Sequence, residues 1–397
     1  MKQMRRGCFK QIMLSGLILL LLTAFMGWVV FDLTSRASLE VLTGRLEASP
    51  HLEVEEKVRL SAQIETALKP RDDTEQASDP VTPRHIEEQV NAPAWMHEVE
   101  KFRVATHEQL RFESLYDVRD LLRSKPLHEF TPEEFEQVSA VAAVAGPNIR
   151  EQLKRYAAYV PYPFRGDDGR VNFFIGIGSL SWQLPALLAV SLTTDQPEEA
   201  EQLARDFESV TWDLFGAESV YMLRIAMLAR GNLLAFAELN LNAESATVRL
   251  FAQQLLADYT ARPGVSDLKS SLRKALAAEA EFGLERFELV KQGAFEDDWR
   301  VLPYLDRVWV DAYQSPWMRG FYSNDMESFV NGYLAGLEAV EELGKKPLDG
   351  KPVYDALGLL SPLAAKELVM VRATIEKCSK HLEELTRLRE KLESLEK

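Results

Sequence analysis

The chain has 397 residues, 46% hydrophobic and 27% charged, with 61 Asp and Glu against 46 Lys and Arg and a net charge of −15. That composition excludes a disordered or collagen-like chain and leaves length for one large or two ordinary folded domains. So acidic a chain repels phosphate backbones, which excludes nucleic acid as an expected partner and favours basic or cationic partners.

Residues 1–11 carry Lys2, Arg5, Arg6 and Lys10 and no acid, so the remainder is more acidic still. No residue from 12 to 31 is charged. At 1.5 Å per residue, about 20 helical residues reach ~30 Å, the depth of a bilayer's hydrocarbon core. Basic residues ahead of the run place the N-terminus in the cytoplasm. A cleaved secretory signal is the rival reading. Its apolar region would be shorter, and Ser35-Arg36-Ala37 is a poor cleavage site. The expectation is a single-pass signal-anchor in the inner (plasma) membrane, with the body periplasmic or otherwise extracytoplasmic. No Asn-x-Ser/Thr sequon occurs, which leans towards a bacterial source. The two cysteines, Cys8 and Cys378, would then lie on opposite sides of the membrane and cannot form a disulfide framework.

After the anchor, residues 32–68 read as a membrane-proximal helical segment broken near Pro50, and 69–82, rich in proline and acids, read as a linker. Residues 83–360 carry the punctuation of a helical domain. Thr131-Pro132-Glu133-Glu134 is an N-cap, a first-turn proline and a capping-box glutamate. That helix is expected to end at Gly146, with Pro147 opening the next. An apolar run, 173–192, is followed by Pro197 to about Phe215, then 218–239, 242–261 and 266–292. Asn324-x-x-Glu327 is expected to cap a helix ending near Gly344, and Ser361-Pro362 opens a C-terminal helix over 361–397. No sustained strand-like alternation interrupts them, so the expected class is all-α, an irregular stack of antiparallel helical hairpins.

Three passages carry a resemblance: Leu184–Asp213 with its acidic turn, Glu218–Leu256, and Leu272–Glu279. Over about Asn91 to Glu342 the chain resembles a group of membrane-anchored, all-helical bacterial proteins with tetratricopeptide-like hairpins. The resemblance implies an anchor plus helical repeats and carries no activity across.

Sites were sought among the chemistry-bearing residues. None of His51, His85, His97, His107, His128 and His381 falls in a metal-binding motif; Cys378-x-x-His381 puts two ligands on one helical face, too few to close a zinc site. No metal and no cofactor is expected. Glu218-Ser219 and Glu244-Ser245 are similar to the Glu-Ser of helical glycan lyases, yet each glutamate falls where an acid stabilises a helix start. Gly176-Ile-Gly178 lacks a preceding strand, and Arg165-Gly-Asp167 sits in a turn. No catalytic residue is assigned.

Arg224 and Arg230 stand on an otherwise apolar helix. A guanidinium there is either ion-paired, with Glu279 and Glu281 as expected partners, or part of a ligand site. Trp299, Tyr304, Trp309, Tyr313 and Trp317 form a dense aromatic cluster, either packing around a bend or an aromatic groove. The last helix spaces Leu368, Val371, Ile375, Cys378, Leu382, Leu385 and Leu392 like a heptad seam. It either forms a coiled coil that makes a homodimer or docks on its own bundle. The function expected is a membrane-anchored scaffold binding a protein partner in the cell envelope. The competing class is an all-α hydrolase or lyase of an envelope glycan.

Overall fold

The computed structural model describes residues 18, 20–27, 29, 39–68, 112–156, 170–216, 219–292, 319–345 and 362–395. Among them the chain is all-α, with no strand. The helices are α1 (Leu39–Ala48), α2 (Val54–Leu68), α3 (Phe112–Ser124), α4 (Pro132–Tyr156), α5 (Arg170–Thr193) and α6 (Pro197–Gly216), then α7 (Val220–Leu239), α8 (Ala246–Ala261), α9 (Val265–Gln292), α10 (Arg319–Glu342) and α11 (Pro362–Leu395). One 3-10 turn, Leu127–Glu129, joins α3 to α4.

Half of the apolar run at 12–31 lies outside the described residues. Residues 18, 20–27 and 29 are helical. Among the described residues no helix is long and apolar enough to cross a membrane. The linker over 69–82 also lies outside them.

Two compact units are formed, each discontinuous in sequence. The first contains α1, α2, and the stretches 281–292 of α9, 319–335 of α10 and 362–368 of α11. The break expected near Pro50 separates α1 from α2, and their Leu42, Leu46, Leu60 and Ile64 are buried. Phe287 packs edge-on against Tyr322 and Phe329, at 5.6 and 5.7 Å between ring centroids. The Tyr322 hydroxyl donates to the Phe287 carbonyl at 2.8 Å. Gly283 makes room for this trio, since a Cβ there would sit 2.3 Å from Phe329 Cζ.

The second unit holds α3 to α8, residues 265–280 of α9, 336–342 of α10 and 369–395 of α11. Its centre is α7, which packs on α3, α5, α6 and α8. The reason lies in the sequence Val-Tyr-Met-Leu-Arg-Ile-Ala-Met-Leu-Ala, apolar over most of the circumference, so little of α7 suits water. Its partners α6 and α8 are amphipathic. In α6, Ala200, Leu203, Ala204, Phe207, Val210 and Leu214 form one buried stripe. Burying a side chain such as Phe207 contributes about 1.5–3 kcal/mol.

Several boundaries follow their caps. The Thr131 N–H donates to Glu134 Oε2 (2.8 Å) and the Glu134 N–H to Thr131 Oγ1 (3.2 Å), which closes the capping box. Asn240 ends α7 by accepting from the Leu127 N–H at 2.9 Å and donating to the Phe236 carbonyl at 2.8 Å.

Two expected boundaries are corrected. The helix opened by Pro132 does not stop at Gly146 but runs through Pro147 to Tyr156. Proline removes one hydrogen bond there, while Val141, Ala142, Ala145, Ile149 and Leu153 on both sides of it are buried and hold the axis. Asn324 does not cap α10 either. That helix begins at Arg319, and burial of Met326, Phe329, Val330 and Tyr333 outweighs the polar signal at Asn324.

Candidate functional site

Arg230, on α7, is buried completely. Its Nη2 donates to the carbonyls of Tyr259 (2.8 Å) and Arg262 (2.6 Å), where α8 ends. Arg389 from α11 donates to the Thr260 carbonyl beside them. A helix C-terminus presents unpaired carbonyls and a partial negative charge, so two guanidiniums satisfy both. The Arg230 guanidinium also stacks 4.4 Å over the Tyr259 ring. Its nearest carboxylate is Glu208 on α6, at 3.8 Å. Burial, partly opposed by Glu208, lowers the Arg230 pKa, and burial raises the Tyr259 phenol. The Tyr259 hydroxyl donates to the Ala204 carbonyl at 3.0 Å, an approach that the small Ala204 side chain permits.

The partners expected for Arg230 were Glu279 and Glu281. The structure corrects this, because Arg230 turns to the end of α8 and to Glu208, while Glu281 pairs with Arg59. Glu279 is half-buried on α9. Arg224 has a different setting from Arg230, one and a half turns along the same helix. It is half-buried and lines a cavity.

That cavity, about 590 Å³, is walled by α3, α5, α7 and α11. Arg119, Arg123, Arg224, Lys377 and Lys380 line it, against the two carboxylates Glu376 and Glu384. Glu376 is already held by Arg372 at 2.9 Å. Burial pushes the Glu384 carboxyl above its ordinary range, so its charge is disfavoured. Lys377 is pushed down by burial and then by the positive charges of Arg224, Lys380 and Arg123, which Glu384 only partly offsets. Among the described residues no carboxylate lies within 4 Å of Arg123, Lys377 or Lys380. The Arg119 guanidinium lies 4.7 Å over Tyr116 and 5.5 Å over Trp182, and also pairs with Asp120 at 2.7 Å.

Ile225, Leu228 and the Trp182 ring add apolar lining. Gly231 faces open space, since a Cβ there would meet nothing within 4 Å. Asn232 donates to Ser181 Oγ at 3.0 Å behind it.

His381 borders both regions. It is stacked on Phe215 at 6.5 Å, and burial, then Arg230 and Lys377, hold its pKa down to about 3, so the imidazole is neutral. Its neighbour Cys378 is buried with its thiol pKa raised, which removes it from any cross-link between copies. Val371, Ile375, Cys378 and Leu385 of the C-terminal seam, with Leu388 beside it, are buried within this unit. Arg387 and Lys391 clamp the outer face of α11 to Glu238 of α7, at 2.5 and 2.9 Å. The helix therefore docks on its own bundle.

Of the other candidates, Trp299, Tyr304, Trp309, Tyr313 and Trp317 lie outside the described residues, as does Glu218. Ser245 accepts from the Val248 N–H at 3.5 Å and caps α8, which is the helix-start role. Among the described residues no group of three or more His, Cys, Asp and Glu side chains could hold a metal ion.

Sequence reasoning singled out Arg224 and missed Arg119, Arg123, Lys377 and Lys380. On their own helices these read as the solvated faces that charges normally form. Only the packing of α3 and α11 beside α7 brings them together. Comparison with known proteins finds no family model, no curated protein and no solved structure that matches the chain.

Proposed function

We propose that the protein is a single-pass, membrane-anchored helical scaffold of the cell envelope that binds a protein partner. In this reading the basic N-terminus stays in the cytoplasm, the apolar run at 12–31 spans the inner membrane, and the body lies in the periplasm. One observation carries it. Ile18, Leu20, Leu21, Leu22, Phe25 and Met26 are helical and between 49% and 66% exposed, at positions distributed around the helix. Water makes such a surface costly, at about 25 cal/mol per Å², whereas lipid does not. The hairpin packing around α7 supports the scaffold part, since stacked helical hairpins create extended binding surfaces.

Fractionation of the expressing cell tests the anchor. The full chain should stay with membranes after alkaline carbonate extraction, and protease added to spheroplasts should degrade the body while sparing the N-terminus. Leu21→Arg with Leu22→Arg should release it. Recovery of a mature chain beginning beyond Arg36 in the soluble fraction would overturn the anchored reading. Scaffolding is tested by chemical cross-linking in intact cells, with a single stoichiometric protein partner expected.

A further inference from the structure

The cations of the α3–α7–α11 cavity stand out against the rest of the chain. With 61 acids and 46 bases in the sequence, carboxylates are the commoner charge. Yet the cavity gathers five bases and two acids; Arg119 is paired with Asp120 and Glu376 with Arg372. Lys377 and Arg224 are half-buried there while Arg123 and Lys380 reach solvent, and such a concentration of positive charge attracts an anion. The bases come from three helices, α3, α7 and α11, so the arrangement is built by tertiary packing and not by a local charge run.

We propose that this cavity binds an oxyanion, a phosphate or carboxylate group, carried on an aromatic or apolar body. Arg123, Lys377 and Lys380 supply the charge for the oxyanion, a guanidinium offering paired N–H donors and ammoniums point charges. The Trp182 ring, Ile225 and Leu228 form the surface on which the body rests. At about 590 Å³ the space lies in the ~300–1,000 Å³ range of small-molecule sites and exceeds the needs of a bare phosphate. Gly231 keeps it open, because any side chain there would project into it. The oxyanion can arrive on a soluble molecule or on a lipid headgroup. The inference stands on the cavity and does not depend on the scaffold reading.

The full chain, reconstituted in phosphatidylcholine nanodiscs, would be titrated calorimetrically with phenyl phosphate. One site per chain is expected, with phenol giving no heat and inorganic phosphate binding at least tenfold more weakly. Arg123→Gln with Lys377→Gln should weaken phenyl phosphate at least tenfold. Gly231→Leu keeps every charge but fills the space, and should abolish binding. Far-UV circular dichroism and melting curves check that both variants are folded. Competition by short-chain phosphatidic acid in the disc would assign the anion to a lipid, and its failure to compete would assign it to a soluble molecule. No saturable heat with phenyl phosphate, or an affinity unchanged in Gly231→Leu, would overturn the proposal. Equal affinities for phenyl phosphate and inorganic phosphate would overturn the role of the apolar lining.

Discussion

Arg230 and Lys377 are both cations held against α7, and their surroundings treat them in opposite ways. Arg230 is fully enclosed, but two carbonyls, an aromatic face and Glu208 receive its charge. Lys377 is only half-buried, yet its charged neighbours are mostly other cations. The difference teaches that depth does not decide whether a buried charge is structural. What decides it is whether the fold supplies the counter-charge, and around Lys377 the fold leaves that to another molecule.

The largest effect that would sharpen this contrast is removal of Arg230. Arg230→Ala strips the carbonyls of Tyr259 and Arg262 of their donor, and should cost about 3–5 kcal/mol in chemical denaturation. An unchanged midpoint would break the comparison at its structural end.

Acid should act next, through His381. Its folded pKa of about 3 lies below the ordinary 6.5, so between these values the unfolded chain binds the extra proton. Stability from this group is whole above pH 6.5 and falls as pH drops towards 3, by a few kcal/mol in all. His381→Gln should flatten the melting temperature over that window.

Glu238 provides a properly paired control on the other end of α7. Its carboxyl is held down to about 2 by hydrogen bonds from Arg387 and then Lys391, partly opposed by burial. The stabilisation is present above pH 4.5 and lost as pH falls towards 2. Both bases are substantially exposed, so solvent screening reduces the contribution, and Glu238→Gln should cost about 1–2 kcal/mol at pH 7.

The smallest effect has the opposite sign. Lys377→Met removes a cation repelled by its neighbours, and should raise the ligand-free melting temperature, by up to about 1 kcal/mol equivalent, while weakening phenyl phosphate. A destabilised Lys377→Met would mean that the lysine is structural, like Arg230.

The all-α class, the capping box at Thr131, the break near Pro50 and the start of α11 at Pro362 were legible in the sequence, because each depends on residues within a turn or two of one another. So was the oddity of guanidiniums on the apolar stretch that becomes α7. Tertiary structure alone decided that Pro147 stays inside α4, that Glu208 rather than Glu279 or Glu281 faces Arg230, and that Arg119, Arg123 and Lys377 share one cavity. The physical reason is range. Hydrogen-bond geometry and hydrophobic period are written into neighbouring residues, whereas the fate of a charge depends on what is packed opposite it, from helices distant in the sequence.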